Sequence, residues 1–99
     1  MEDGYRIVAV VQMSEEDIEG GRLYEDLVLD LLPSQGGRVE RRLRTPDART
    51  EVQVLWFPSR EAMDAVVAHP DRLAARDRLG SAVPVTVVHE VHDVPVPPA

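Results

Sequence analysis

His89 and His92 stand three positions apart in the segment HEVH, a spacing that on a helix would let both rings chelate one metal ion. The run that leads into them, Val83 to Val91 (VPVTVVHEV), alternates like a strand, however. On a strand an odd separation sends two side chains to opposite faces, so no metal site is expected. His89 instead follows Val83, Val85 and Val87 on one face. There it would be a single titratable ring, with a proton affinity near neutrality that suits general acid–base work beside a pocket. A hydrogen-bonded core or interface histidine is its plainer role. His92, on the Glu90 face beside the tail, reads as a surface residue, and His69, just before Pro70, as part of a helix break.

The aromatic residues are few enough to name. Trp56 is the only tryptophan, and it offers either a flat surface for stacking a ligand ring or simply core volume. Tyr24 and Tyr5 each carry a phenolic donor, although both also fit apolar stripes. Arg42, in the alternating segment RVERRLRT with Arg38 and Arg44, could hold an anion or could be a solvated edge. No nucleophile–base pair, phosphate-binding loop or carboxylate dyad stands out.

Composition narrows the classes. A net charge of −7 argues against a nucleic-acid partner, whose backbone attracts clustered cations. All eleven basic residues are arginine, and the chain has no lysine, asparagine or cysteine. Lysine Schiff bases, disulfides, zinc–thiolate sites and thiol nucleophiles are therefore excluded. No run combines basic residues with an apolar leader, and none approaches membrane-spanning length, so the expected location is the cytoplasm, with no membrane partner. Ninety-nine residues predict one domain over residues 1–93, followed by a proline-rich tail over 94–99.

The elements that must position these groups can be read in order. Tyr5 to Met13 (YRIVAVVQM) predicts a strand, apolar on both faces and hence covered on both sides. Ser14 with Asp17 resembles a capping box, interrupted by Gly20-Gly21, so a helix is expected from Arg22, with Leu23, Leu27 and Leu31 on one line. Pro33 and Gly36-Gly37 end it. Arg38 to Thr45 predicts an edge strand, and Glu51 to Phe57 its hairpin partner. Pro58 stops that strand, Ser59 caps a second helix, and Pro70 restarts the helix as a new segment closing at Gly80 in a left-handed cap. Val83 to Val91 is the last strand.

The order strand–helix–strand–strand–helix–strand predicts an α+β, ferredoxin-like βαββαβ fold. Its four-stranded antiparallel-type sheet has the first and third strands in the centre and two helices on one face. The other face would expose Leu55, Phe57 and one set of first-strand residues, an apolar patch that a homodimer pairing its sheets would remove.

Three stretches carry a family resemblance. They are Gly36-Gly37-Arg38, the run Val54-Leu55-Trp56-Phe57-Pro58-Ser59-Arg60-Glu61-Ala62, and His69-Pro70-Asp71 followed by Ala74-Ala75-Arg76. With them, residues 5 to 93 resemble the dimeric α/β-barrel superfamily, which includes the antibiotic-biosynthesis monooxygenases and many uncharacterised relatives. The resemblance implies a dimeric α/β barrel with a ligand pocket between the sheet and the helices of each subunit. It implies a small cofactor-independent enzyme of secondary metabolism, a monooxygenase or polyketide cyclase, acting on a small hydrophobic or aromatic ligand. In that mechanism His89 takes a proton, Tyr24 holds an oxyanion, Trp56 stacks the ring, and Tyr5 and Arg42 complete the binding set. The haem-degrading branch relies on an asparagine on its first strand and a histidine late in its second helix. This chain has no asparagine, and Arg76 stands about where that histidine would fall. The alternative is a non-catalytic small-molecule-binding or dimerisation module, with no cofactor in either case.

Overall fold

In the computed structural model, which describes residues 3–99, the elements run β1 (Tyr5–Gln12), α1 (Ile18–Asp30), β2 (Arg38–Arg44), β3 (Thr50–Phe57), α2 (Arg60–Val67), α3 (Pro70–Leu79) and β4 (Val85–Glu90). Short 3-10 turns lie at Leu32–Gln35 and Gly80–Ala82. The strands form one antiparallel sheet in the order β2-β3-β1-β4, so β1 and β3 are central, as the sequence predicts. This is an α+β ferredoxin-like arrangement, its second helix divided in two. Among the described residues no helix is long and apolar enough to cross a membrane.

The division has a local cause. Pro70 has no N–H to continue α2, so the chain re-caps: His69 Nδ1 accepts from the Asp71 N–H at 3.1 Å. Ser59 Oγ caps α2 in the same way, accepting from Ala62 N at 3.1 Å. Gly80 adopts a positive φ of 56° but a ψ of −122°, so it leads into a turn rather than forming the left-handed cap expected of it.

Helix α1 starts four residues earlier than the sequence predicts. Asp17 caps it, accepting from Gly20 N at 2.8 Å, and Gly20-Gly21 lie inside the helix instead of interrupting it. Tertiary packing explains the difference. A Cβ on Gly21 would fall 2.9 Å from Met13 Sδ and 3.2 Å from Pro84 Cγ, so the glycine lets α1 approach the sheet where β1 ends and β4 begins.

The two faces of the sheet are also the reverse of the expectation for β3. Leu55 and Phe57 are not outward; they are buried under the helices with Ile7, Leu29, Leu32 and Val66. Such side chains contribute about 1.5–3 kcal/mol each on burial. Ala9, Val11 and Met13 form a second apolar cluster against Ile18. The face away from the helices carries Val8 and Val10 of β1 with Val52, Val54 and Trp56 of β3. Strand β4 is exposed along its whole length, including Val85 and Val87. Beyond it, Val94 and Val96 of the tail are exposed too.

Candidate functional site

Polar residues interrupt the inner face of β3. Alternation from Leu55 and Phe57 places Glu51 and Gln53 on the same side, opposite Val11 and Ala9 of β1. The β2 register sets Arg42 beside Gln53 and Arg44 beside Glu51. From above, α1 adds Glu25, one turn before Leu29 on its buried stripe.

These residues form a connected network. Gln53 Nε2 donates to Glu25 Oε1 at 2.8 Å and to Glu51 Oε2 at 2.6 Å. The amide must present its nitrogen here, since its oxygen would face an ionised carboxylate. Glu51 further accepts from Arg42 Nε at 2.9 Å and from Arg44 Nη2 at 2.7 Å. Arg42 Nη1 reaches Asp26 Oδ1 at 2.8 Å, while its Nη2 is buried without a partner among the described residues. Glu51 is 0% exposed, Gln53 2% and Glu25 4%.

Burial acts on both carboxyls, with opposite outcomes. It pushes Glu25 above the usual carboxylate range, and nearby Glu51 adds to the rise, against the Gln53 hydrogen bond and the charges of Arg42 and Arg72. Burial also opposes ionisation of Glu51, but the hydrogen bonds from Arg42, Gln53 and Arg44 outweigh it and hold Glu51 below its ordinary value. One amide thus joins an ionised carboxylate to one with raised proton affinity. Pairs pushed apart in this way are where acid and base roles are found.

Next to Glu25 in sequence, Tyr24 turns toward α3. It lines an open crevice of about 240 Å³ between α1 and α3, together with Leu23, Leu27, Ala75, Arg78 and Leu79. Burial raises the proton affinity of the Tyr24 phenol, and Glu25 adds to this, while Arg72 and Arg76 pull it down. Its hydroxyl makes no hydrogen bond among the described residues, although the residue is only 7% exposed.

The other expected site residues are dispersed. Arg42 belongs to the network just described, and Tyr5 packs partly buried against the core cluster of Phe57. Trp56 lies on the far side of the sheet, its ring centroid 4.4 Å from the Arg38 guanidinium carbon. Arg6 Nε, from the neighbouring position on β1, bonds Glu40 Oε1 there at 2.6 Å. His89 pairs with Val8 and shares that outer face, exposed. The sheet therefore stands between Tyr24 and both Trp56 and His89, and the expected pocket of all three does not form within this chain. A β-branched and aromatic face (Val52, Val54, Trp56) reads as core in sequence, whereas the true inner face carries two polar residues.

Those polar residues, Glu25, Gln53 and Glu51, were not singled out by the sequence. The available signal was the i, i+2 pair Glu51 and Gln53 in an apolar strand, matched by Arg42 and Arg44 in its hairpin partner.

The arrangement of sheet and helices recurs in solved structures. A protein from Streptomyces nogalater, SnoaB, described as a cofactor-independent oxygenase, superposes with a TM-score of 0.69 at 14% identity, over 98% of this chain and 100% of that one. Rv0793 from Mycobacterium tuberculosis gives 0.66 at 19% identity over 91% and 97%. A candidate antibiotic biosynthesis monooxygenase from Nitrosomonas europaea gives 0.63 at 15% over 90% and 92%. This chain has the antibiotic-biosynthesis-monooxygenase-like fold. At such identities the likeness is one of fold, and the roles of residues in this member of the fold have to come from its own geometry. No protein-family model matches the chain, and neither does any curated protein.

Proposed function

We propose that this protein is a cofactor-independent enzyme of the oxygenase or cyclase type, acting on a small aromatic or polyketide-like molecule, with Glu25 and Tyr24 at its site. The observation that carries the reading is the buried pair Glu25 and Glu51 joined through Gln53, with Tyr24, the residue before Glu25 on α1, lining the crevice. Oxygen chemistry without a cofactor requires the substrate itself to become the electron donor, which an acidic C–H does by losing a proton. An ordinary carboxylate is too weak a base for this near neutrality, and burial strengthens Glu25 in the required direction.

In the proposed step an active methylene gives its proton to Glu25, and Tyr24 donates to the oxygen on which the negative charge develops. The carbanion reduces dioxygen, and R₂CH₂ + O₂ → R₂C=O + H₂O balances with no further reductant. A cyclase would use the same deprotonation, the carbanion then attacking a carbonyl of its own chain. Gln53 and Glu51 hold the Glu25 carboxyl in place. His89, across the sheet, is not used in this step.

A homodimer belongs to the same reading. Its support is the helix-free face of Val8, Val10, Val52, Val54 and Trp56 and the exposed valines of β4. Oxygen consumption with one- and two-ring phenols carrying an active methylene tests the activity. Uptake that Glu25→Gln lowers by 100-fold or more supports it, and uptake unchanged by that substitution refutes it.

The second reading, a non-catalytic small-molecule-binding or dimerisation module, draws on a different observation. Glu51 has no exposure and spends its hydrogen bonds on protein donors, as a purely architectural network would. In that case ligand binding persists while none of the phenols is turned over.

A further inference from the structure

The crevice between α1 and α3 sets cationic and phenolic donors beside an apolar floor. Its floor is apolar, built from Leu23, Leu27, Ala75 and Leu79. Of the acidic residues that flank its lining positions in sequence, Asp17 accepts from Gly20 N at 2.8 Å, Glu19 bonds Arg22 at 3.0 Å and Asp26 bonds Arg42 at 2.8 Å, while Asp77, beside Arg78, has no bonded partner among the described residues. Arg78, on the crevice wall, and Arg76, close enough to act on Tyr24, have no side-chain partner among the described residues. Tyr24, a residue only 7% exposed, adds a phenolic hydroxyl with no hydrogen-bond partner among the described residues. Donors without acceptors over an apolar floor describe one half of a recognition site.

We propose that this crevice binds a small amphipathic anion, a one- or two-ring aromatic carboxylate or phenolate, with its rings on the leucines and its charge between Tyr24 and Arg78. Size fits the class. The crevice volume of about 240 Å³ exceeds the roughly 150 Å³ that encloses benzene and falls short of the about 300 Å³ where drug-sized pockets begin. Polarity fits it too, because both donors lack a protein acceptor, and the Asp17 carboxylate at the Gly20 end of the crevice is held by the Gly20 N–H. The inference rests on the reading of this region as a substrate site and adds the charge of the substrate to it.

The test compares 2-naphthoate with its neutral isostere 2-naphthamide by methyl NMR titration of the leucines, a measurement that needs no turnover. The expected result is a Kd of about 1 mM for the carboxylate, roughly tenfold tighter than the amide, with shifts at Leu23, Leu27 and Leu79. Arg78→Gln, an exposed change, should abolish the preference and leave amide binding unaltered. Tyr24→Phe should weaken the carboxylate by about threefold to tenfold. Equal affinity for acid and amide, shifts confined to Val8 and Val54 on the outer face, or no shifts at 10-fold higher concentrations than about 1 mM would each overturn the proposal. Carboxylate binding in the absence of any oxygen uptake would sustain it while removing the enzymatic reading.

Discussion

The Gln53 amide nitrogen stands 2.8 Å from the Glu25 carboxylate, and neither residue is more than 4% exposed. The same nitrogen holds Glu51 at 2.6 Å, so a single side chain satisfies two buried carboxyls at once. Gln53→Leu keeps the volume and removes both donors. At pH 7 it should cost about 1–3 kcal/mol, the usual penalty for buried acceptors left unmade. The loss should shrink as pH falls through the folded value of Glu25, because its protonated carboxyl no longer needs a donor for a buried charge. Urea midpoints across that range measure it, and an equal or negligible loss throughout would show that the amide bridge is incidental.

Most of the framework was legible in the sequence, and the reasons are local. β1 lies between two strands and is apolar on both faces, Ile7, Ala9 and Val11 toward the helices and Val8 and Val10 on the helix-free side, so its run reads directly as a central strand. Pro70 fixes the α2–α3 break for want of an N–H. What the sequence hid is tertiary. Both faces of β3 alternate, and no local rule says which one the helices cover; Glu51 and Gln53 look outward until Arg42, Arg44 and Glu25 are brought to them from other elements. Gly20-Gly21 likewise reads as a break until Met13 and Pro84 are seen against it.

The two carboxyls should give the stability opposite pH dependences. Glu51 has a folded value below its unfolded one, so its contribution is present above the ordinary range, near 4.3, and is lost as pH falls through the folded value. Glu25 has a folded value above its unfolded one. Its contribution is complete below about 4.3 and is lost as pH rises through the folded value. Glu25→Gln removes only the second limb. Its stability relative to the parent protein should therefore increase with pH above that range, and a pH-independent difference would contradict the assignment.

The outer face gives a test of assembly. Leu55 lies under the helices, so a charge there probes folding, whereas Val54 and Val10 probe the outer surface. If that face is covered by a second copy, Val54→Glu buries an unpaired carboxylate at a cost of several kcal/mol and should weaken dimerisation by at least about 100-fold. Sedimentation at micromolar concentration reads the outcome. Parent and variant both sedimenting as 11.0 kDa monomers would rule the dimer out.

Gly21 allows the close approach of α1 to the sheet. Gly21→Val places methyl groups where Met13 Sδ already lies 2.9 Å from a bare Cβ position. Overpacking of this kind costs about 1–3 kcal/mol. A thermal midpoint lowered by several degrees is expected, and an unchanged midpoint would mean that Met13 and Pro84 move aside freely.

The central claim concerns the proton on Glu25, and carboxyl-detected ¹³C NMR of selectively labelled protein reads it directly. The account predicts that Glu25 titrates above the ordinary glutamate value of about 4.3, and that Gln53→Leu moves it higher still by removing a hydrogen bond that favours the ionised form. Titration at or below that ordinary value, unaltered by loss of Gln53, would contradict it.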